Sequence, residues 1–426
     1  MMKHLKLFIF LLFLSNLTLA SKITIYNNTF NPITATVNYS SNKTKKIKVN
    51  ATSHESWDNV LYNMRSVNIK NKSLALKKGI TKKFEVFYDG TKIGLGQGIR
   101  PDKQFITPDS KLKYNEVCFL GAHNAHAAHA YGYVYAQQDK KIEDQLDFGA
   151  RVLLLDTFSV RKENLTKEAL PTPQESLDKF DVMLWHGPTG KNLKISFESI
   201  LVKIKQFLGK HADQIITIQL ENYVPEPLID AVIERSSISK YILKPSDWNP
   251  NKKDGWPTLE WMINKNKRLV IFNSTMGGYK KYYKTFGRTS SKYCYNQWAH
   301  TSENQYGELD IEKAAKMRGQ GSRKKHYLFT VDYFGTVTSP VNYPATNSDK
   351  LRKFIDYIFK NGLYIKEKDQ FKTGLYKQRY PNVINLDYIT RGKNGDPLKL
   401  INEINHTSKI TKNRASTIFK PLNPRK

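Results

Sequence analysis

The stretch GAHNAHAAHAYGY, residues 121–133, spaces His123, His126 and His129 three apart and sets Asn124 beside the first of them. Three imidazoles at that spacing suit a metal site, a catalytic base or no chemistry at all. Other polar residues end apolar runs: Asp156 in LLLD, His186 in LWHGP, Glu221 in IQLEN, Asp332 in LFTVD and Asp387 in VINLD. Imidazoles titrate near neutral pH, so a histidine at a strand end can serve as a base or an acid, while His186, followed by Gly and Pro in a rigid turn, also fits a purely structural role. An Asp after an apolar run is often only a turn former or helix cap. A carboxylate and an amide together at the end of IQLEN are harder to explain that way. Burying them costs several kcal/mol unless a donor or a cation compensates, and a metal is the simplest compensation. A zinc site built from all three histidines would need converging side chains and a carboxylate behind them. The Ala-rich setting of His126 and His129 instead suggests packing or contacts at a rim.

Positioning such residues requires buried strands that end at one place. Eight candidates follow Tyr114, ending near Asn124, Phe158, Gly187, Asn222, Ser274, Trp298, Phe334 and Ile389. Helical stretches intervene. In SFESILVKIKQFLGKH, residues Phe197, Ile200, Leu201, Ile204 and Leu208 fall on one helical face. Eight strands alternating with helices fit an α/β fold, a (β/α)8 TIM-like barrel over residues 113–426, in which chemistry belongs at the carboxyl ends of the strands. A doubly wound open sheet is the competing architecture. Residues 21–112 alternate apolar and polar side chains in short runs such as KITIYNN and ITATVNYS, which predicts an N-terminal all-β, sandwich-like domain.

Residues 1–20 carry Lys3 and Lys6, an apolar run from Leu7 to Leu14 and a Thr-Leu-Ala ending, which together read as a signal peptide. A secreted protein, extracellular or periplasmic, is therefore expected, since the apolar run falls well short of the roughly 20 residues that span a bilayer. The 426-residue chain has a formal net charge of +30. For an exported protein this favours anionic partners such as phospholipid head groups, cell-wall polymers or anionic substrates over nucleic acid, although the lysines are also spread through the whole composition. Cys118 and Cys294 are compatible with one bridge or with two buried thiols. Asn27, Asn50 and Asn164 begin glycosylation triplets that matter only in a eukaryotic secretory route. A monomer is expected.

The motifs GAHNAH, DQLDFGARVLLLD, WHGP and ITIQLENY occur in the order and spacing of the X domain of phosphatidylinositol-specific phospholipase C, which the chain resembles. WPTLEWMINKNKRLVIFNS, YNQW, ENQYG and YPNVINLDYI resemble the secreted single-barrel phosphodiesterases of the same type, so the resemblance covers about residues 115–400. It does not reach residues 21–112.

The resemblance implies a phosphoric diester hydrolase or lyase acting on phosphatidylinositol or a related glycerophospholipid, with His123 as base, His186 as acid and Asp387 orienting the base. Asp332 competes for that orienting role. It further implies a divalent cation, calcium with magnesium as an alternative, held by Asn124, Asp156 and Glu221. The remaining ligand of calcium-dependent members would lie two residues before Asp156, where this chain has Leu154. Calcium-independent bacterial members carry an Arg at the Asp156 position, which is absent here. Two other readings stay open: a glycerophosphodiester or sphingolipid phosphodiesterase on the same barrel, and a lipid- or glycan-binding relic that uses Tyr131, Tyr133 and Tyr135 as a binding rim.

Overall fold

In the computed structural model the chain divides into two compact units, Met1–Gln104 and Phe105–Lys426. The structure describes strand residues 21–27, 33–39, 42–49, 54–59, 64–70, 72–75, 83–88 and 93–95 of the first. Of the second it describes residues 108–406 apart from 134, 173–174, 187–194, 254, 276–289, 307–310, 319–327, 335–347, 368–369, 376–377 and 392–395. The signal-peptide reading of residues 1–20, Asn50, and Gly187 and Pro188 of the WHGP motif lie outside the described residues.

The first unit holds two four-stranded sheets. One contains Ser21–Asn27, His54–Asn59, Lys83–Tyr88 and Ile93–Leu95; the other contains Thr44–Val49, Ile33–Tyr39, Met64–Ile69 and Lys72–Ala75. Alternation puts Ile33, Ala35, Val37 and Tyr39 inward, where they share one apolar cluster with Ile23, Ile25, Val67, Ile69 and Val86. The expected all-β domain is present. Ser110 and Leu112 bond through their carbonyls to Glu260 and Leu259, so they belong to the second unit.

The second unit is a curled α/β sheet. Its strands, numbered within the barrel, are β1 (Phe119–Ala122), β2 (Val152–Arg161), β3 (Phe180–Leu184), β4 (Ile216–Asn222), β5 (Leu269–Thr275), β6 (Tyr295–Asn296), β7 (Thr301–Asn304), β8 (Leu328–Asp332) and β9 (Val383–Leu386). Eight of them run parallel in the order β6-β5-β4-β2-β1-β9-β8-β7. Between β6 and β7 the ladder is not closed among the described residues.

Two features depart from expectation. The third predicted strand, β3, runs antiparallel to the far half of β2, with Thr157 opposite Leu184, and is not a barrel stave. The eighth stave is β7, a short TSEN segment whose polar residues gave no apolar run to detect. The helix α1 (Ile142–Phe148) precedes β2, and α2 (Phe197–Lys210) begins at Ser196, whose hydroxyl accepts from the Ser199 amide. The predicted face of α2 is buried, with Phe207 added to it. Cys118 and Cys294 are both buried free thiols and no bridge joins them. No described helix is long and apolar enough to cross a membrane.

Because Ile204 is fully buried between α2 and the sheet, Ile204→Ala should lower the stability of the protein by about 2–5 kcal/mol. Chemical denaturation followed by tryptophan fluorescence measures this. A loss below about 1 kcal/mol would mean that the α2 face is not packed as described.

Candidate active site

Strand β1 delivers His123 to the carboxyl end of the sheet, where the His123 amide bonds to the Leu386 carbonyl at the end of β9. One residue later the chain bends sharply. Asn124 adopts φ 43°, the left-handed region that Asn tolerates better than most residues, and the Ala125 amide bonds across to Leu154. Because β1 and β9 are adjacent and parallel, with Ala122 opposite Leu386, His123 and Asp387 emerge together. His123 Nδ1 lies 2.8 Å from Asp387 Oδ1, and the imidazole stacks on Phe334 with ring centroids 3.6 Å apart. Gln138 fastens both strand ends: its Nε2 donates to the carbonyls of His123 and Leu386, and its Oε1 accepts from the Ile389 amide. The bond to Asp387 leaves Nε2 of His123 as the ring nitrogen that faces outward from the pair.

Burial by itself pushes the His123 imidazole down, but Asp387, then Asp156 and Asp332, outweigh it and the net shift is upward from 6.5. Asp387 is raised, because desolvation exceeds the attraction of His123 and His186. Its Oδ2 is buried without a partner.

Beneath this pair lies a second polar layer. Asp332 pairs in register with Asn385, which pairs with Gly121. Asn385 donates to Asp332 Oδ1 at 2.7 Å, while Asn304 clamps the backbone of Asp332 through both its amide atoms. Asp332 is thus held one layer deeper than Asp387, and it is Asp387 that bonds to His123. A Cβ on Gly121 would sit 1.8 Å from Asn385 Oδ1, so the layer exists only because residue 121 has no side chain.

On the other side of the mouth stands His186, just past β3. Its Nδ1 is 3.4 Å from Asp156 Oδ2, and its Nε2 is enclosed and unpartnered. The Asn124 amide lies between the two imidazoles. One of its terminal atoms is 3.1 Å from His186 Nδ1 and 3.3 Å from His123 Nε2; the other is 3.0 and 3.2 Å from the two oxygens of Asp156. The two ring nitrogens therefore stand no more than about 6.4 Å apart, the length of the two contacts end to end. With its nitrogen towards Asp156, the amide donates to the carboxylate and its oxygen accepts from both imidazoles. With its oxygen towards Asp156, three acceptor oxygens converge on one point, an arrangement that only a cation relieves. Gln137 contacts the same amide from behind.

Glu221 pairs in register with Asp156 across β4 and β2 and is exposed, accepting a 2.6 Å hydrogen bond from the Tyr223 hydroxyl. Asn124, Asp156 and Glu221 thus offer hard oxygen donors of the kind calcium or magnesium takes. Leu154, half-buried, offers none. Among the described residues no group of three or more His, Cys, Asp or Glu is arranged to hold a metal ion, so the three histidines do not form a zinc site.

His126 is fully buried, edge-on to Tyr133, and desolvation lowers its pKa to about 4. It is a neutral packing group. His129 is exposed at the rim, 3.1 Å from Asp139 and stacked on Tyr388. Of the three tyrosines, only Tyr135 is well exposed; Tyr133 is buried with its hydroxyl on the Leu184 carbonyl, and Tyr131 donates to Glu143. Gln137, Gln138 and Phe334 carried no motif in the sequence, Asn385 lay inside YPNVINLDYI without being singled out, and only the Gly two residues before His123 hinted at a close approach.

A family model described as PI-PLC X 1 matches residues 110–405. A PI-PLC X domain-containing protein of Arabidopsis thaliana is 22% identical over 310 residues, covering 69% of this chain and 63% of the relative, so the chain spans less than two thirds of that protein's length. PI-PLC X domain-containing protein 1 of Arthroderma benhamiae is 24% identical over 66% of this chain and 82% of its own length. A solved phosphatidylinositol-specific phospholipase C of Staphylococcus aureus aligns over 69% of this chain and 94% of its own, with 13% identity and a TM-score of 0.41.

Asp387→Asn should lower the pKa of His123 from its raised position, because the carboxylate attraction is lost while the burial remains. Proton NMR titration of the histidine ring protons reads this directly, and an unmoved His123 resonance would contradict the pairing. Gly121→Ala should destabilise the protein by about 1–3 kcal/mol by displacing Asn385; a neutral effect in thermal unfolding would remove the second layer from the account.

Proposed function

The chain belongs to the PI-PLC X family, and from that premise we propose that its barrel cleaves the phosphodiester of phosphatidylinositol or a related glycerophospholipid. The observation that carries the reading is the placement of two imidazoles on one amide, each with its Nδ1 towards a carboxylate: His123 with Asp387, and His186 with Asp156.

That arrangement suits an internal displacement at phosphorus. The hydroxyl next to the phosphate on the substrate's own polyol ring is a tethered nucleophile, which removes much of the entropic barrier. His123 takes the hydroxyl proton at Nε2 as the new O–P bond forms, while Asp387 holds Nδ1–H and stabilises the imidazolium. The bond from phosphorus to the glycerol oxygen breaks, and His186, protonated at Nδ1, the nitrogen it turns towards the shared amide, gives its proton to the departing diacylglycerol alkoxide. The cyclic phosphate remains on the polyol, and the two histidines end with exchanged protonation states.

A divalent cation, calcium or magnesium, fits the oxygens of Asn124, Asp156 and Glu221 and when bound would offset the negative charge of the phosphate. Without one, two carboxylates face an anionic substrate. Leu154 removes one charged ligand from this set, so weak affinity is part of the proposal. We assign the protein to a secreted location, extracellular or periplasmic, acting as a monomer on anionic membrane surfaces, in keeping with its net charge of +30.

Phosphatidylinositol, other phospholipids and glycosylated lipid anchors assayed with and without a chelator test this reading. Turnover of an inositol phospholipid that drops on chelation and returns with calcium is expected; full activity indifferent to chelation would remove the cation. His123→Ala should reduce kcat by at least about 10²-fold, whereas His126→Ala should keep about a tenth or more, since His126 supplies packing alone. Because the His123 pKa is raised, the acid limb of kcat/KM should lie above pH 6.5. Lipid association with no soluble phosphate product, unaffected by either histidine, would identify a binding protein instead.

A further inference from the structure

The side of the mouth that holds His186 is walled by aromatic rings. Phe158 stands two residues past Asp156 on β2, and Tyr223 two past Glu221 at the end of β4, so strand alternation returns both rings to the side that carries those carboxylates. Trp185 completes the set, immediately before His186. Phe158 stacks on Tyr223 with ring centroids 4.6 Å apart and 11° between the planes, and Trp185 leans on Phe158 at 4.8 Å. Backbone bonds hold the three segments together: the Tyr223 amide donates to the Thr157 carbonyl, and the Trp185 amide to that of Asp156. All three rings are half-buried, so each keeps part of its surface in solvent.

What these rings offer a ligand is carbon. Trp185 Nε1 is enclosed, and the Tyr223 hydroxyl is engaged with Glu221 at 2.6 Å. Burial first, then Glu221 and Asp156, push the Tyr223 phenol up, so the ring stays neutral. The rings lean on one another instead of lying open as a flat platform, which suits flexible hydrocarbon better than the face of a polyol ring. An apolar track continues outward from them. Past Phe158, β2 runs on to Arg161 and the chain returns through Asn164–Glu168, after which the Ala169 amide bonds to the Ser159 carbonyl. Leu165 and Leu170 of this hairpin are 44% and 39% exposed, matched only by Tyr135 among the large apolar side chains of the described residues.

We propose that Phe158, Trp185 and Tyr223 form the subsite for the hydrocarbon of the leaving alcohol, and that they make the chain select acylated phosphodiesters over water-soluble ones. The proposal rests on the catalytic reading above, in which His186 hands its proton to the departing oxygen. That oxygen must then lie against His186, and whatever it carries extends over the neighbouring side chains, Trp185 first. The polyol that cyclises lies at the other imidazole, His123. A diacylglycerol leaving group brings acyl chains whose transfer from water onto aromatic carbon is favourable, whereas bare glycerol gains nothing there. Binding of this remote hydrocarbon also helps to orient the scissile bond. The trio thus separates an inositol-lipid phosphodiesterase from one that acts on soluble glycerophosphodiesters.

The test uses the full-length protein and two substrates with the same phosphoinositol group: dihexanoyl phosphatidylinositol, kept monomeric below its micelle concentration, and deacylated glycerophosphoinositol. The readout is the ratio of their kcat/KM values. Phe158→Ala should lower that ratio about tenfold or more. Phe158→Leu should keep most of it, and Phe158→Gln, polar at similar bulk, should lose as much as the Ala variant. Ile204→Ala, a substitution in the α2 core, should leave the ratio as in the wild type even where both rates fall. An unchanged ratio in Phe158→Ala, equal ratios for the Leu and Gln variants, or an equal drop in Ile204→Ala would overturn the subsite. A second measurement needs no turnover. In the His123→Ala background, short-chain phosphatidylinositol brominated on its acyl chains should quench tryptophan fluorescence, and adding Trp185→Phe should remove most of that quenching; quenching that is absent, or equal in both, would also overturn it. Turnover of neither substrate by the wild type would count against the catalytic reading, and the quenching would then decide the subsite by itself.

Discussion

The structure is organised around a carboxylate placed where water cannot solvate it. Asp387 is almost completely enclosed, and one of its oxygens has no hydrogen-bond partner, so its charge is sustained chiefly by the imidazole of His123. A buried acid in that position is costly unless paired. The pairing requires that two segments 264 residues apart end side by side. Adjacency of β1 and β9, the glycine that lets Asn385 approach β1, and the Gln138 amide that ties the two strand ends all serve that requirement.

From this pair the rest of the mouth follows electrostatically. Asp156 and Asp332 add negative potential around His123 and help raise its affinity for a proton, while Phe334 covers one face of its ring. His186 is oriented differently, by a longer contact to Asp156, and keeps an unpartnered nitrogen. Two imidazoles with unlike surroundings are what opposite proton-transfer roles need. Asn124 is the shared element, and its left-handed backbone is what carries its amide between them.

Much of this was legible in the sequence. The apolar face of α2 followed from its 3.6-residue period, and strand ends marked by His123, Asp156, Glu221 and Asp387 followed from polar residues closing apolar runs. Strand direction was not legible, because a buried run reads the same whichever way it points; β3 therefore looked like a stave and is an antiparallel neighbour of β2. Strand β7 was invisible because its four residues, Thr301 to Asn304, are polar yet buried, satisfied by contacts such as Asn304 with Asp332 that only the closed fold supplies. Gln137 and Gln138 act through loop geometry that leaves no periodic trace. Tyr133, placed on the rim by its position in the loop, turned inward because its hydroxyl finds the Leu184 carbonyl.

The division of labour between His123 and His186 is the central claim, and leaving-group dependence tests it most directly. Turnover of an inositol phosphodiester with an alkyl alcohol as leaving group should be compared with that of its p-nitrophenyl counterpart, whose anion departs without a proton. The account predicts that His186→Ala is severely impaired on the alkyl substrate and largely restored on the nitrophenyl one, while His123→Ala is impaired on both. Equal impairment of His186→Ala on the two substrates, or rescue of His123→Ala, would contradict it.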